Sequence, residues 1–382
     1  MLEKIIIKNV NSIKEVEIDF RKGSYKYGED NIIGDCVNPI ALYGHNGSGK
    51  TSFFNAISSF IQLMISPMEA LSPFIVNNFL YENYFSKSGK KNENDIIGSI
   101  CMDYSLNENK YQYYVSTSRL NYINNEYLIC NNKTIFERGK SNYKYKDKKY
   151  VFDTLSNMIP TIRRLASLEI NDLNIQESYS YLSSFTFLSL PYINRGFFVT
   201  SKLFNNISVY DLLVNQSDKV KEILKTYKEF PLFSIEKKNT VTSINDPLSQ
   251  YSMRIYDGDF EGTLPLAMIS SGMRNQSILL SILLTMPENS VIFVDELEQA
   301  LHPSTIKSFL EIVKKRKMQL VFSSHNTFIL QMLRPDQIYF AKWEKGFSSF
   351  SRLSKIYPNI REINNIEKMY LSSVFDNAIN NG

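Results

Sequence analysis

Cysteine and histidine are scarce in this chain, with three of each in 382 residues. Cys36, Cys101 and Cys130 stand far apart, make no metal-ligand spacing and are odd in number. That argues against a disulfide framework and for free thiols in a reducing, cytoplasmic compartment. Nowhere do about 18 apolar residues run without interruption, so no membrane-spanning helix is expected. Met1-Leu2-Glu3-Lys4 leads straight into a strand-like segment and lacks the apolar region of a secretion signal. A charge excess is missing as well: 43 Lys and Arg against 39 Asp and Glu leave a net +4. So mild a balance does not by itself indicate nucleic acid. Heptads with charged flanking positions are absent, which excludes long coiled-coil arms. No internal repeat is seen.

What is present begins with Gly44-His45-Asn46-Gly47-Ser48-Gly49-Lys50-Thr51, directly after the apolar run Pro39 to Tyr43. A buried strand, a glycine-rich turn and a helix opening near Lys50 together make a phosphate cradle. Backbone N–H groups and the helix dipole converge on phosphate oxygens, Lys50 reaches the outer phosphates, Thr51 follows at the Mg²⁺ position, and Ser52 closes the cofactor-binding stretch. Ser290 to Glu296 is a second apolar strand, ending in two carboxylates. It is expected beside the loop strand, with Asp295 meeting the Mg²⁺ held by Thr51 and Glu296 polarising an attacking water. Between the two, Ser270-Ser271-Gly272 opens an apolar helix. The turn reads either as a second anion site, which a head-to-tail dimer would use across its interface, or as a plain N-cap. A last apolar strand, Leu320 to Ser324, ends at His325. The three histidines, His45, His302 and His325, all fall in these segments. His325 is placed to sense the γ-phosphate, whereas no chemistry is assigned to His302.

The order of these motifs resembles the ATP-binding-cassette ATPases, with Walker A at 44–51, a signature-like turn at 270–272, Walker B at 291–296 and a switch histidine at 325. The run Asp295-Glu296-Leu297-Glu298-Gln299-Ala300-Leu301-His302-Pro303 resembles the Asp-Glu-x-Glu-x-x-Leu-His-Pro pattern of the overcoming-lysogenisation-defect-like ATPases. These include ATPase subunits of anti-phage systems such as Septu, PARIS and AbiL-type abortive infection. The likeness is specific over residues 1–65 and 264–330 and general between them. It implies ATP and Mg²⁺ as ligands, with Lys50 on phosphate, Thr51 and Asp295 on the metal, Glu296 as base and His325 as switch. Ser270, Ser271 and Gly272 would contact the partner's nucleotide. It also implies a self-associating head-to-tail dimer, which some relatives build into larger rings, and a separate effector, a nuclease. Two departures stand out. Ile269-Ser270-Ser271-Gly272-Met273 replaces Leu-Ser-Gly-Gly-Gln, and no Q-loop glutamine is identified, since Gln112 reads as an ordinary strand residue.

The fold class expected is α/β: an ABC-type ATPase head, with a P-loop α/β core and an antiparallel β lobe, plus a mainly helical insert and no long coiled coil. Residues 1–150 would form the N-terminal part of the head with a β-meander over 96–137. Residues 151–260 would form the insert, and 261–382 the C-terminal part of the head. A polar linker, Lys87 to Asn94, precedes the meander. The residues beyond 338 are too few for an appended nuclease domain. Lys140 to Lys149 interleaves Lys with Tyr and reads as a solvated loop or a DNA contact; Lys314 to Lys317 suits a helix C-terminus. Two other functions remain open from sequence: a RecF-like DNA-repair ATPase, and a nucleotide-gated scaffold with negligible turnover.

Overall fold

A computed structural model describes residues 1–23, 25, 31–66, 96–118, 123–146, 148–151, 158–168, 172–190, 199–200, 209–238, 250–257, 259–361, 364–372 and 374–375. The linker expected at Lys87 to Asn94 and the segment before it lie outside these residues. Among the described residues one sheet of fifteen strands organises the chain. Its central part is parallel. Ile338–Glu344, Ile40–Tyr43, Gln319–Ser323, Val291–Asp295 and Thr186–Ser189 lie side by side in that order. All four residues of Ile40–Tyr43 are buried, as a strand covered on both faces requires.

Alternation along each central strand divides its side chains between two cores. Ile40, Leu42 and Phe293 face one core, beneath Phe53, Ile57 and Phe60 of the loop helix Lys50–Ile65. Ala41, Tyr43, Ile292 and Val294 face the other, covered by helices Ser271–Thr285 and Pro303–Lys315. The longest helix among those described is the 16-residue Lys50–Ile65, and none is long and apolar enough to cross a membrane.

On one side the sheet continues as an antiparallel lobe. Leu2–Val10 buries Leu2, Ile5, Ile7 and Val10, and Ile13–Asp19 buries Ile13, Val16 and Ile18; the meander Ile96–Leu106, Asn109–Ser118, Ile123–Cys130 and Lys133–Arg138 follows. Gln112 sits inside it, bonded to Asp103 at 2.9 Å and accepting from the Tyr127 hydroxyl at 3.3 Å, an ordinary strand residue. The Lys140 to Lys149 cluster is a hairpin, not a loop. Asn142–Tyr145 pairs with Lys148–Val151 at the sheet's outer edge, with the Tyr143 and Tyr150 rings stacked 4.8 Å apart. Lysines on an edge strand hinder edge-to-edge association, a structural use that needs no nucleic acid.

The region 151–260 is, among its described residues, only partly helical. It holds helices Thr161–Ser167, Leu173–Ser183, Val209–Asn215 and Ser217–Leu224. It also contributes strands Leu232–Lys237 and Tyr251–Asp257 to a separate three-stranded sheet, and Thr186–Ser189 to the central sheet. That last strand is four residues long and buried throughout. So short an apolar run carries no period by which sequence could separate strand from helix.

An ion pair locks the lobe to this region. Glu126 and Arg138 are both fully buried, 3.6 Å apart. Glu126 also accepts from the Tyr113 hydroxyl (2.9 Å) and from the backbone N–H groups of Thr161 (2.6 Å) and Ile162 (3.0 Å). Arg138 donates to the Ile159 carbonyl at 2.6 Å. Strand and helix are thus joined through two charged side chains that satisfy each other and the helix start.

Candidate nucleotide-binding site

The loop strand ends in a turn that tolerates no side chains at its two ends. Gly44 has φ 149°, and a Cβ there would strike the Ala341 carbonyl oxygen and lie 2.8 Å from Ser48 Oγ. Gly49 has φ 103°, and a Cβ there would strike the Ser348 side chain. The loop is pressed against neighbouring strands at both glycines, and the Ser48 N–H donates to the His45 carbonyl at 3.2 Å within the turn. Lys50, 6% exposed, donates to the Gly44 carbonyl at 2.6 Å and the His45 carbonyl at 3.1 Å. Burial lowers its pKa, while Asp295, Glu298 and Glu296 oppose that shift. Ser48 Oγ is buried and has no protein partner, as a hydroxyl reserved for a ligand oxygen would be. Ser52, in the first helical turn, accepts from Ser12 Oγ at 3.1 Å, and Ser12 lies 2.7 Å from Ser348. His45, Asn46 and Gly47 are exposed on the loop's crest.

Walker B does not lie beside the loop strand, as the sequence suggested. Gln319–Ser323 runs between them, pairing Ser323 with Leu42 on one side and Phe322 with Val294 on the other. The intervening strand brings Ser323 to the site. Its hydroxyl donates to Asp295 Oδ1 at 2.5 Å and accepts from the Glu296 N–H at 2.8 Å. Asp295 still reaches the loop, since the Lys50 ammonium and the Thr51 hydroxyl both lower its carboxyl's pKa. Glu296 is held at φ 57°, a left-handed conformation costing roughly 1–2 kcal/mol for a non-glycine residue.

Glu298 completes the cluster, its Oε1 accepting the His325 backbone N–H at 2.9 Å. The pKa of His325 is lowered, first by burial and then by the positive Lys50. Ser323 and Glu298 are the residues sequence reasoning missed. Ser323 could not be found without the strand order, whereas Glu298 stood in the quoted Asp-Glu-x-Glu run without a role.

Two sequence-marked segments stay outside this cluster. Ser270 caps helix Ser271–Thr285, its hydroxyl accepting from Met273 N–H at 3.4 Å. Ser270, Ser271 and Gly272 are exposed, and a Cβ on Gly272 would meet nothing within 4 Å. His302 caps the next helix, accepting from the Ser304 N–H at 3.3 Å.

Burial pushes the Asp295 carboxyl up to about 6, with the Ser323 bond as the largest opposing influence and Glu296 adding to the rise. A folded pKa above the unfolded value means stability is lost as pH rises through about 6. Asp295→Asn is therefore expected to stabilise the fold by about 2 kcal/mol at pH 7.5, the gain falling by about half at pH 5. Urea denaturation at the two pH values measures it, and equal gains at both would exclude the ionised carboxylate as the cause.

The chain is similar in fold to an SMC head bound to the C-terminal winged-helix domain of ScpA: TM-score 0.51, 13% identity, covering 92% of this chain and 96% of that one. The SMC head of Thermotoga maritima (TM-score 0.44, 13% identity, 92% and 98% covered) also matches. So does the recombination mediator protein RecF (0.39, 11%, 92% and 98%). No curated protein is similar in sequence. One family model spans residues 40–331, from the loop strand through the Walker B and His325 segments, and is described as "AAA domain, putative AbiEii toxin, Type IV TA system". With more than half the chain matched and the loop geometry in place, this protein belongs to that family of P-loop ATPases.

Proposed function

We propose that two copies of the chain bind ATP head to tail, hydrolyse it, and use the cycle as sensor and scaffold of an anti-phage defence system that controls a separate nuclease effector. The observation that carries the two-copy reading is the gathering of Lys50, Asp295, Glu296 and His325 at the loop and the ends of its neighbouring strands, while the Ser270 to Gly272 turn lies exposed outside that cluster. That turn offers a hydroxyl and a helix N-terminus to an anion. It becomes useful when a second subunit presents its loop. The family description, with its toxin and toxin–antitoxin terms, supports the defence setting.

In this reading the loop N–H groups, Ser48 and Lys50 hold the phosphates, and Glu296 takes the proton of the attacking water. His325, its pKa lowered so that the imidazole is neutral near pH 7, accepts a hydrogen bond from that water or from the γ-phosphate's surroundings. Thr51 and Asp295 fit a Mg²⁺ ion, which supplies charge neutralisation on the phosphate oxygens. The 151–260 region, which the chemistry does not need in full, is the expected dock for trigger or effector.

Tagged Glu296→Gln protein, expressed with its neighbouring genes and purified throughout in ATP and Mg²⁺, is expected to bring down one neighbour in stoichiometric amount. A homodimer carrying only DNA would replace the defence reading with a RecF-like repair role.

A further inference from the structure

The signature-like turn and the catalytic carboxylate belong to different elements, yet one buried side chain joins them. Asn275 lies five residues beyond Ser270 in the same helix and is 3% exposed. Its amide nitrogen donates to the Gln299 carbonyl at 3.3 Å and to the Leu190 carbonyl at 3.4 Å. Both partners are acceptors, so the NH₂ group must face them. The amide oxygen is then left buried without a partner. An unsatisfied buried acceptor costs on the order of 1–3 kcal/mol, so packing alone would favour an apolar residue here.

Gln299 ends the short 3₁₀ turn Leu297–Gln299, whose N-cap is Glu296 itself. The middle residue of that turn, Glu298, holds the His325 N–H at 2.9 Å. Its other oxygen, Oε2, is shut off from solvent and unpartnered. Within the four residues Glu296 to Gln299 three thus carry links: Glu296 to Ser323, Glu298 to His325, and Gln299 to Asn275. A shift of helix Ser271–Thr285 cannot occur without either breaking the Asn275 bonds or moving this turn.

We infer that Asn275 is a positioning residue that transmits engagement of the Ser270 to Gly272 turn to Glu296 and His325 through the turn Leu297–Gln299. The inference rests on the head-to-tail ATPase reading. A nucleotide seated on the partner's loop draws the helix start toward it, Asn275 carries Gln299 along, and Glu298 adjusts the His325 backbone. Hydrolysis is thereby tied to closure of the dimer, and a monomer that has merely bound ATP stays slow.

The test separates binding, dimerisation and turnover. Asn275→Leu keeps the side chain's shape and removes both donors. The expected result is a kcat lower by about tenfold, with KM for ATP, ATP-dependent dimerisation (read in the Glu296→Gln background) and Tm little changed. Glu298→Ala should lower kcat too, and the double variant should be no worse than the poorer single one, as residues acting through one turn require. If Asn275→Leu does not fold, Asn275→Thr, which keeps one donor, should show an intermediate loss. Unchanged kcat, a rise in KM parallel to the fall in kcat, or losses that multiply in the double variant would each overturn the coupling. A wild-type protein without ATP-dependent dimers or turnover would fail the ATPase reading first, and the inference with it.

Discussion

Glu296→Gln is expected to lower ATP turnover by about 10²–10⁴-fold while leaving ATP affinity almost unchanged, because general-base catalysis is worth that much and the amide cannot accept the proton. The fold should not suffer. The Glu296 side chain does not build the site; its backbone N–H does, through Ser323 Oγ at 2.8 Å, and the substitution preserves it. The variant should therefore accumulate as an ATP-loaded dimer, measured by size-exclusion chromatography with and without ATP beside a steady-state phosphate assay. Turnover at the wild-type rate would remove Glu296 as the base and leave Glu298 as the nearest other carboxylate in the same turn.

The largest effect on stability is expected far from the nucleotide. Arg138→Met leaves Glu126 buried without its counter-charge, which costs about 3–5 kcal/mol when one partner of a buried pair is removed. Both side chains of the pair have 0% exposure, so water cannot take over either role. The three donors to Glu126, from Tyr113, Thr161 and Ile162, soften the loss but carry no full charge. Chemical denaturation should show the drop. Pairing Arg138→Met with Glu126→Leu should recover much of it, though not the cap on the Thr161 helix. A loss below about 1 kcal/mol in the single variant would mean that the interior there admits water.

Motifs confined to one stretch of chain were legible before any coordinates. The glycine turn at 44–49, the helix after it, the two carboxylates closing an apolar strand and the alternating lobe strands are set by local sterics and by side-chain period. Each stands at its expected place along the chain, although Gln319–Ser323 separates the acidic strand from the loop strand it was expected to adjoin. The meander strands, expected from Ile96 to Glu137, extend from Ile96–Leu106 to Lys133–Arg138. Reading failed where a segment gave too little pattern. Thr186–Ser189 lies in a region expected to be mainly helical, and the hairpin at 142–151 in a segment open to a solvated loop or a DNA contact, because charge and tyrosine content do not report strand pairing.

The sequence by itself determined that a phosphate loop and an apolar strand ending in two carboxylates, candidates for metal ligand and base, exist in one chain, since each depends on neighbours along the backbone. Tertiary structure alone decided how they meet. Inserting Gln319–Ser323 between loop and acidic strands makes Ser323 the bridge between Asp295 and Glu296. Placing Asn275 against Gln299 links two motifs more than twenty positions apart. Strand order and register arise from long-range burial of two opposite faces, a competition among many apolar segments that no single stretch of sequence records.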